Sequence, residues 1–484
     1  MPEKTGRDLV RMDEEAAMVS DLTPVADGLP LGGLGLRPSL WRRTVKRAGI
    51  DRAIGYTILA RGWSSSAGLI TVALIAHTLT RAQQGFYYTF GSLVALQIVF
   101  ELGFSVVVLQ MATHETAQLQ ILDDGRVLGD LRARQRLASV LQKAVKWYTL
   151  AAVLMGCVLL PVGWRFFVGS PGAGDTAWRG PWIAVVLASC FTFQIDPIFS
   201  FLEGCGMVSR VARTRFTQSI LGSSLAWAAL LLHRGLFAPS MLITGQAIAG
   251  AYFLWTRRKL LVGLLRMTVG EHAIHWGTEV WPFQWRVAIS YASGFLIFQL
   301  FNPVLLRFYG PVVAGQMGMS LNISNALAAV AVAWINTKAA MFGTMIARRE
   351  YGALDRLFFR SVAQTMLLCV SGSVVAWSLV VLMGYEHVKF AQRLLSPLPF
   401  ALLLATMCLN LTVSSMALYL RAHKQEKFLL NSVLGGIVVA TSTLTLGRWY
   451  GPTGMTAGHL TATLLIGIGM GSYTFVKYRR LWHA

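Results

Sequence analysis

The chain alternates between long apolar runs and short polar or basic connections. Runs of about 20 apolar residues, the length that crosses a bilayer as helix, occur twelve times, at approximately 53–78, 85–109, 146–167, 181–204, 215–233, 238–256, 284–306, 312–337, 360–384, 395–419, 428–447 and 452–476. Ser361 to Tyr385, Leu394 to Leu420 and Tyr450 to Val476 contain no Asp, Glu, Lys or Arg. The pattern predicts an all-α integral membrane protein of about twelve transmembrane helices.

Composition narrows this further. Of 484 residues, 55% are hydrophobic and 13% charged, with mean hydropathy +0.54, against roughly 25% charged in soluble domains. A disordered chain, a disulfide-stapled secreted domain and most soluble enzymes are excluded. The net charge of +21 follows the positive-inside rule and needs no nucleic-acid partner. Loops after even-numbered spans plus the C-terminal tail hold 23 of the 43 Lys and Arg, and loops after odd-numbered spans hold 8. Both termini are therefore expected in the cytoplasm. Residues 1–52 lack a signal-like apolar run and read as a retained, disordered tail ending in the basic cluster Trp41 to Arg47, suited to anionic headgroups.

The two halves share weak self-similarity. Gly85-Phe86-Tyr87-Tyr88 opens span 2 and Gly315-Gln316-Met317-Gly318 sits at the corresponding place in span 8; Ser219 to Gly222 and Ser432 to Gly435 form a second pair. Duplicated bundles are common in transporters. The expected organisation is a tail (1–52), an N-lobe (53–256), a cytoplasmic linker (257–283), a C-lobe (284–476) and a C-terminal tail (477–484), two pseudo-symmetric six-helix lobes around a central cavity.

Ionisable groups within spans are costly unless paired or wet, so each is a candidate site. Arg61 and Glu101 lie about eight residues from the inner edges of spans 1 and 2, roughly 12 Å deep. They form either a structural ion pair or a site in which the Arg61 fork binds phosphate while Glu101 tunes it. Asp196, before Pro197, either pairs with a neighbouring helix or holds Na⁺ or H⁺ beside carbonyls freed by the proline. Arg286 and Lys338 lie near inner edges, where they snorkel or meet an anionic headgroup. Asn322, Asn325 and Asn336 fall within about 60° of arc on span 8, and span 7 adds Gln299 and Asn302, the latter before Pro303. Amides both donate and accept, which suits sugar hydroxyls, and they also bond helix to helix.

Other chemistry is not signalled. No P-loop pattern occurs, the five cysteines show no CxxC spacing, and His114-Glu115 lacks a second His at metal-ligand spacing. No metal or cofactor is expected, and no enzymatic activity.

Ala60-Arg61-Gly62, the turn Leu79-Thr80-Arg81-Ala82-Gln83-Gln84-Gly85-Phe86-Tyr87-Tyr88, and Glu101-Leu102-Gly103 resemble polysaccharide and lipid-linked oligosaccharide flippases of the multidrug/oligosaccharidyl-lipid/polysaccharide (MOP) exporter superfamily. The resemblance covers about sixty residues, and the twelve-span layout extends it. It implies transfer of a polyprenyl-diphosphate-linked oligosaccharide to the outer leaflet of a bacterial cytoplasmic membrane by alternating access, with Na⁺ or H⁺ coupling left open. Implied partners are membrane lipids and a polysaccharide polymerase or glycosyltransferase. Drug-extruding relatives are expected to use carboxylates, whereas span 1 carries Arg61 and no Asp or Glu. A cation-coupled exporter and a non-transporting assembly scaffold remain the alternatives.

Overall fold

The computed structural model describes residues 52–122, 124–270, 273–423 and 427–483; the predicted tail up to residue 51, with its basic cluster, lies outside them. The helices are α1 (Arg52–Thr78), α2 (Arg81–Val94), α3 (Gln97–Glu101), α4 (Phe104–Thr116), α5 (Leu131–Val168), α6 (Arg179–Gly204), α7 (Val208–Leu231), α8 (Ala238–Thr256), α9 (Arg258–Leu265), α10 (Trp281–Phe298), α11 (Phe301–Tyr309), α12 (Pro311–Asn336), α13 (Ala339–Ala347), α14 (Tyr351–Tyr385), α15 (Pro397–Ala422), α16 (Leu429–Ala462) and α17 (Gly471–His483). Helix covers each of the twelve predicted stretches. Among the described residues, eight helices are long and apolar enough to cross a membrane, or nine if one bent pair counts as a single span. The shortfall has visible causes. Helix α7 carries Arg210, Arg213 and Arg215, and the seventh predicted span divides at Gln299 and Leu300, because Pro303 has no N–H for the Gln299 carbonyl.

Two other breaks shape the chain. The second predicted span bends by 45° where Leu102 and Gly103 adopt left-handed φ of 51° and 66°, a conformation glycine accepts freely and leucine only under strain. Gly451, at φ 60° and ψ −143°, folds α16 into a hairpin: a Cβ on Gly458 would meet Ser442 at 2.8 Å, and one on Gly454 would meet the Leu446 carbonyl at 2.5 Å. The elbow after α4 also contains a feature absent from the all-α expectation, a two-stranded antiparallel hairpin of β1 (Leu119–Ile121) and β2 (Val127–Gly129).

The helices fall into two packing groups. In the first, α1 packs on α7, α7 on α8, α8 on α6, and α6 on α4 and α5; in the second, α10 packs on α16, α15 on α14 and α16, and α12 on α14. They meet mainly where α2 lies against α11 and α12. This seam joins the two repeat motifs. A Cβ on Gly85 would land on the Pro311 carbonyl, one on Gly315 would lie 2.9 Å from the Gly85 nitrogen, and one on Gly318 would strike the Tyr88 ring. Small residues let helix backbones approach in a membrane, where dispersion and interhelical hydrogen bonds replace the hydrophobic effect.

Polar contacts close the same end. The Gln84 amide donates to the Gly315 carbonyl (2.8 Å) and the Arg393 carbonyl (3.1 Å), while the Arg393 guanidinium donates to Gln84 Oε1 (3.0 Å) and the Leu79 carbonyl (2.7 Å). Arg81 bonds to Gln392, and the Leu395 amide donates to Ser320 Oγ at 3.0 Å. The 3₁₀ turn Ala391–Arg393 thus straps the second group to the first. Thr80 caps α2 in a capping box with Gln83, fixing the turn that carries Gln84.

At the opposite end, where α8, α12, α15 and the C-terminal α17 finish, the predicted linker is an ordered dock. Gln142 Nε2 donates to the carbonyls of Leu264 (3.1 Å) and Met267 (2.8 Å), and the Ile274 amide donates to Ser139 Oγ at 3.1 Å. Arg136 bridges Glu115 (2.8 Å) and Glu279 (2.6 Å), so Glu115 serves the elbow. Here too Asp355 Oδ2 accepts from Nε and Nη2 of Arg479 (2.9 and 2.7 Å) and its Oδ1 from the Tyr419 hydroxyl (2.7 Å).

Two predictions follow from these contacts. Gly85→Val, which drives a branched side chain into the Pro311 backbone, should destabilise the protein by at least ~1–3 kcal/mol, read as lower thermal stability in detergent, while Gly62→Val, with open space around it, should not. The Arg136 guanidinium and the His275 amide hold the Glu279 carboxyl below its ordinary pKa of 4.5. Its contribution is therefore present above about pH 4.5 and lost as pH falls through the lower folded value. Glu279→Gln at pH 7 should speed hydrogen exchange across 266–280 by up to about fivefold, matching the ~1 kcal/mol upper end of a solvent-screened pair, and the wild type should show this only below about pH 4.5.

Candidate functional site

The face of α12 that closes the seam continues past it. At ~100° per residue, Gly315, Gly318, Asn322, Asn325 and Asn336 share one face. Gly315 and Gly318 are buried, Asn322 is half-buried, and Asn325 and Asn336 are exposed. The asparagines thus become uncovered as α12 leaves α2. This uncovered face, running from the strap toward the chain's C-terminal end, is the candidate site.

Arg61 lies on a comparable face of α1. Val72 and Leu79 follow it by 11 and 18 residues, about three and five turns, and both are buried, whereas Arg61 is exposed. Trp63, on the other side, donates to Ser223 Oγ at 3.0 Å on α7, which turns Arg61 away from that helix. Among the described residues no ion pair joins Arg61 to Glu101; the structural-pair reading of the sequence is replaced by a different arrangement. Glu101 is the last residue of α3, immediately before the Leu102–Gly103 break, and its Oε1 accepts from Ser105 Oγ at 2.6 Å. With that proton committed, the Tyr148 hydroxyl donates to Ser105 Oγ at 2.9 Å. Glu101 is therefore bonded within its own group.

The other expected residues separate. Asn302 is buried and bridges the groups, its Nδ2 donating to Ser92 Oγ at 3.0 Å while its Oδ1 has no partner among the described residues; it is seam before it is site. Gln299 is half-buried at the C-cap of α10, on the break itself. Lys338 is half-buried at the N-cap of α13, beyond the asparagine face. The side chain of Arg286 on α10 lies outside the described residues. Asp196 is exposed on α6, which runs unbroken through Pro197; the Asp196 carbonyl accepts from Ser200 Oγ at 3.4 Å. No group of three or more metal-ligating side chains occurs among the described residues.

Gln84, Arg393 and Asp355 escaped the sequence reading. Gln84 stood beside the repeat motif, but Arg393 and Asp355 sit just outside apolar runs, where a basic or acidic residue is ordinary. Only their partners, 309 and 124 positions away for Gln84–Arg393 and Asp355–Arg479, give them roles.

No known family profile and no curated protein matches the chain, but solved structures do. An inward-facing multidrug resistance MATE family transporter of the MOP superfamily is similar at TM-score 0.63 and 12% identity, over 88% of this chain and 99% of that one. The same family's outward-facing conformation gives 0.50 at 12% identity over 89% and 95%. Lipid II flippase MurJ, in an inward closed conformation, gives 0.56 at 12% identity over 88% and 90%. At such identities the likeness is one of fold, and it extends over nearly the whole of each chain: this protein has the all-α fold shared by these structures.

Proposed function

We propose that the protein is an alternating-access flippase for a polyprenyl-diphosphate-linked oligosaccharide in a bacterial cytoplasmic membrane, with its termini in the cytoplasm and surface-polysaccharide synthesis as its setting. The observation that carries this reading is the uncovered amide face of α12 beyond the glycine seam, with Arg61 on the exposed continuation of the α1 face. A planar guanidinium offers a diphosphate two parallel charge-assisted hydrogen bonds, and Asn322, Asn325 and Asn336 offer sugar hydroxyls donors and acceptors together. Arg286 and Lys338 complete the basic set, with Gln299 as its amide on span 7, Asn302 being committed to the seam. Opening the strapped end while closing the other would release the headgroup to the opposite leaflet. A polymerase or glycosyltransferase would supply or consume the lipid; Glu101 and Asp196 are the candidates for Na⁺ or H⁺ coupling.

A second reading, a cation-coupled small-molecule exporter, draws on Asp196, an exposed intramembrane carboxylate of the kind that marks ion pathways. Transport in proteoliposomes separates the two. Fluorescent polyprenyl-diphosphate disaccharide should be flipped by the wild type, at least about tenfold more slowly by Arg61→Ala, and at an intermediate rate by Arg61→Lys, which keeps the charge without the fork. Unimpaired flipping by Arg61→Ala would remove the arginine from the mechanism; cation efflux abolished by Asp196→Asn, without any lipid flipping, would establish the exporter.

The strap makes its own prediction. With the native cysteines replaced, Asn322→Cys should react slowly with an impermeant maleimide added on the strap side, and Arg393→Ala should raise that rate about tenfold by removing hydrogen bonds from a charged donor, ~1.5–3 kcal/mol. An unchanged rate would show that the strap does not hold that end shut.

A further inference from the structure

Two adjoining cavities on the first packing group share one residue, Arg258. A polar pocket of about 280 Å³ is lined by Thr256, Arg257, Arg258 and Lys259 at the α8–α9 junction and by Asp124 and Gly125 in the β1–β2 turn. An apolar groove of about 360 Å³ runs from Arg258 between α6 and α8, over Phe191, Gln194, Ile198, Leu254 and Trp255. Among the described residues the one acid lining either cavity is Asp124, already engaged by Arg126 at 2.6 Å, against Arg257, Arg258 and Lys259 in the pocket. Arg258 lies 4.6 Å over the Trp255 ring and donates through Nη1 to the Trp255 carbonyl at 3.1 Å. That contact aims the guanidinium and uses one of its five donors.

The groove opens on a surface made for hydrocarbon. Tyr252 is 71% exposed, Trp255 65% and Phe191 54%, and Tyr and Trp concentrate at membrane interfaces. Helix α9 buries Leu260, Leu261 and Leu264 while exposing Arg258 and Lys259, with Arg266 exposed just past its end, the layout of a helix lying in the interface plane. It sits at the end of the molecule where the basic loops collect.

We propose that pocket and groove together bind one anionic diacyl phospholipid of that leaflet, its phosphate held by Arg258 and Lys259 and one acyl chain laid between α6 and α8. A phosphate alone would need the pocket only, and a neutral lipid the groove only; the shared Arg258 fits a ligand having both.

The test is native mass spectrometry of the full chain in detergent with equimolar dioleoyl-phosphatidylglycerol and dioleoyl-phosphatidylcholine. The wild type should retain phosphatidylglycerol preferentially. Arg258→Ala with Lys259→Ala should reduce that preference by about fivefold per charge, following ~1 kcal/mol per basic residue. Gln194→Trp, which fills the groove and leaves the charges, should weaken both lipids, and excess inorganic phosphate should leave the adduct in place. Equal retention of the two lipids by the wild type, or preference unchanged in the double variant, would overturn the proposal, and displacement by inorganic phosphate would show that the pocket takes a free anion instead.

Discussion

The backbone approach of α2 and α12 governs the rest of the structure. Gly85 and Gly315 are so close that neither tolerates a Cβ, and this contact exists only because each half contributes a glycine at the start of its repeat motif. In a bilayer no apolar driving force presses the halves together, so close packing and the hydrogen bonds it permits must do so. Gln84 shows the dependence directly: its amide reaches the Gly315 carbonyl and the Arg393 strap because the two helices touch there. The same approach sets where the halves stop touching, and that boundary leaves the asparagines of α12 uncovered.

Irregular backbone falls near this boundary. The Leu102–Gly103 break and the Gln299–Leu300 break before Pro303 place non-helical joints in spans that also carry Glu101, Gln299 and Asn302. Interrupted helices in a membrane are tolerated where other groups satisfy the freed backbone, and they supply positions that absorb rotation. The acidic residue before Leu-Gly, read in the sequence as a motif, is in the structure the carboxylate at a joint, held by Ser105 and Tyr148.

Charge is handled differently at the two ends. At the strapped end Arg393 uses its donors on carbonyl and amide oxygens across the seam, bonds that part when the seam parts. At the other end Arg136 fastens the linker, two residues before α10, to the first group, and Asp355 fastens α17 to the second. Each group is thus braced internally, while the strap and the glycine seam carry most of the contact between them.

The sequence by itself determined the membrane class and the positions of the helices, because runs of bilayer length are properties of the chain alone. It also singled out Gly85 and Gly315 and the asparagine face of α12, since helical periodicity is local. It left Arg61 open between an ion pair with Glu101 and a free site, and it missed Gln84–Arg393 and Asp355–Arg479 altogether. Those depend on which helices lie side by side, a matter of contacts between residues hundreds of positions apart. Only the tertiary structure decided that Glu101 bonds within its own group, that Asn302 belongs to the seam and that Asn325 and Asn336 lie open, because burial and pairing are set by packing between helices.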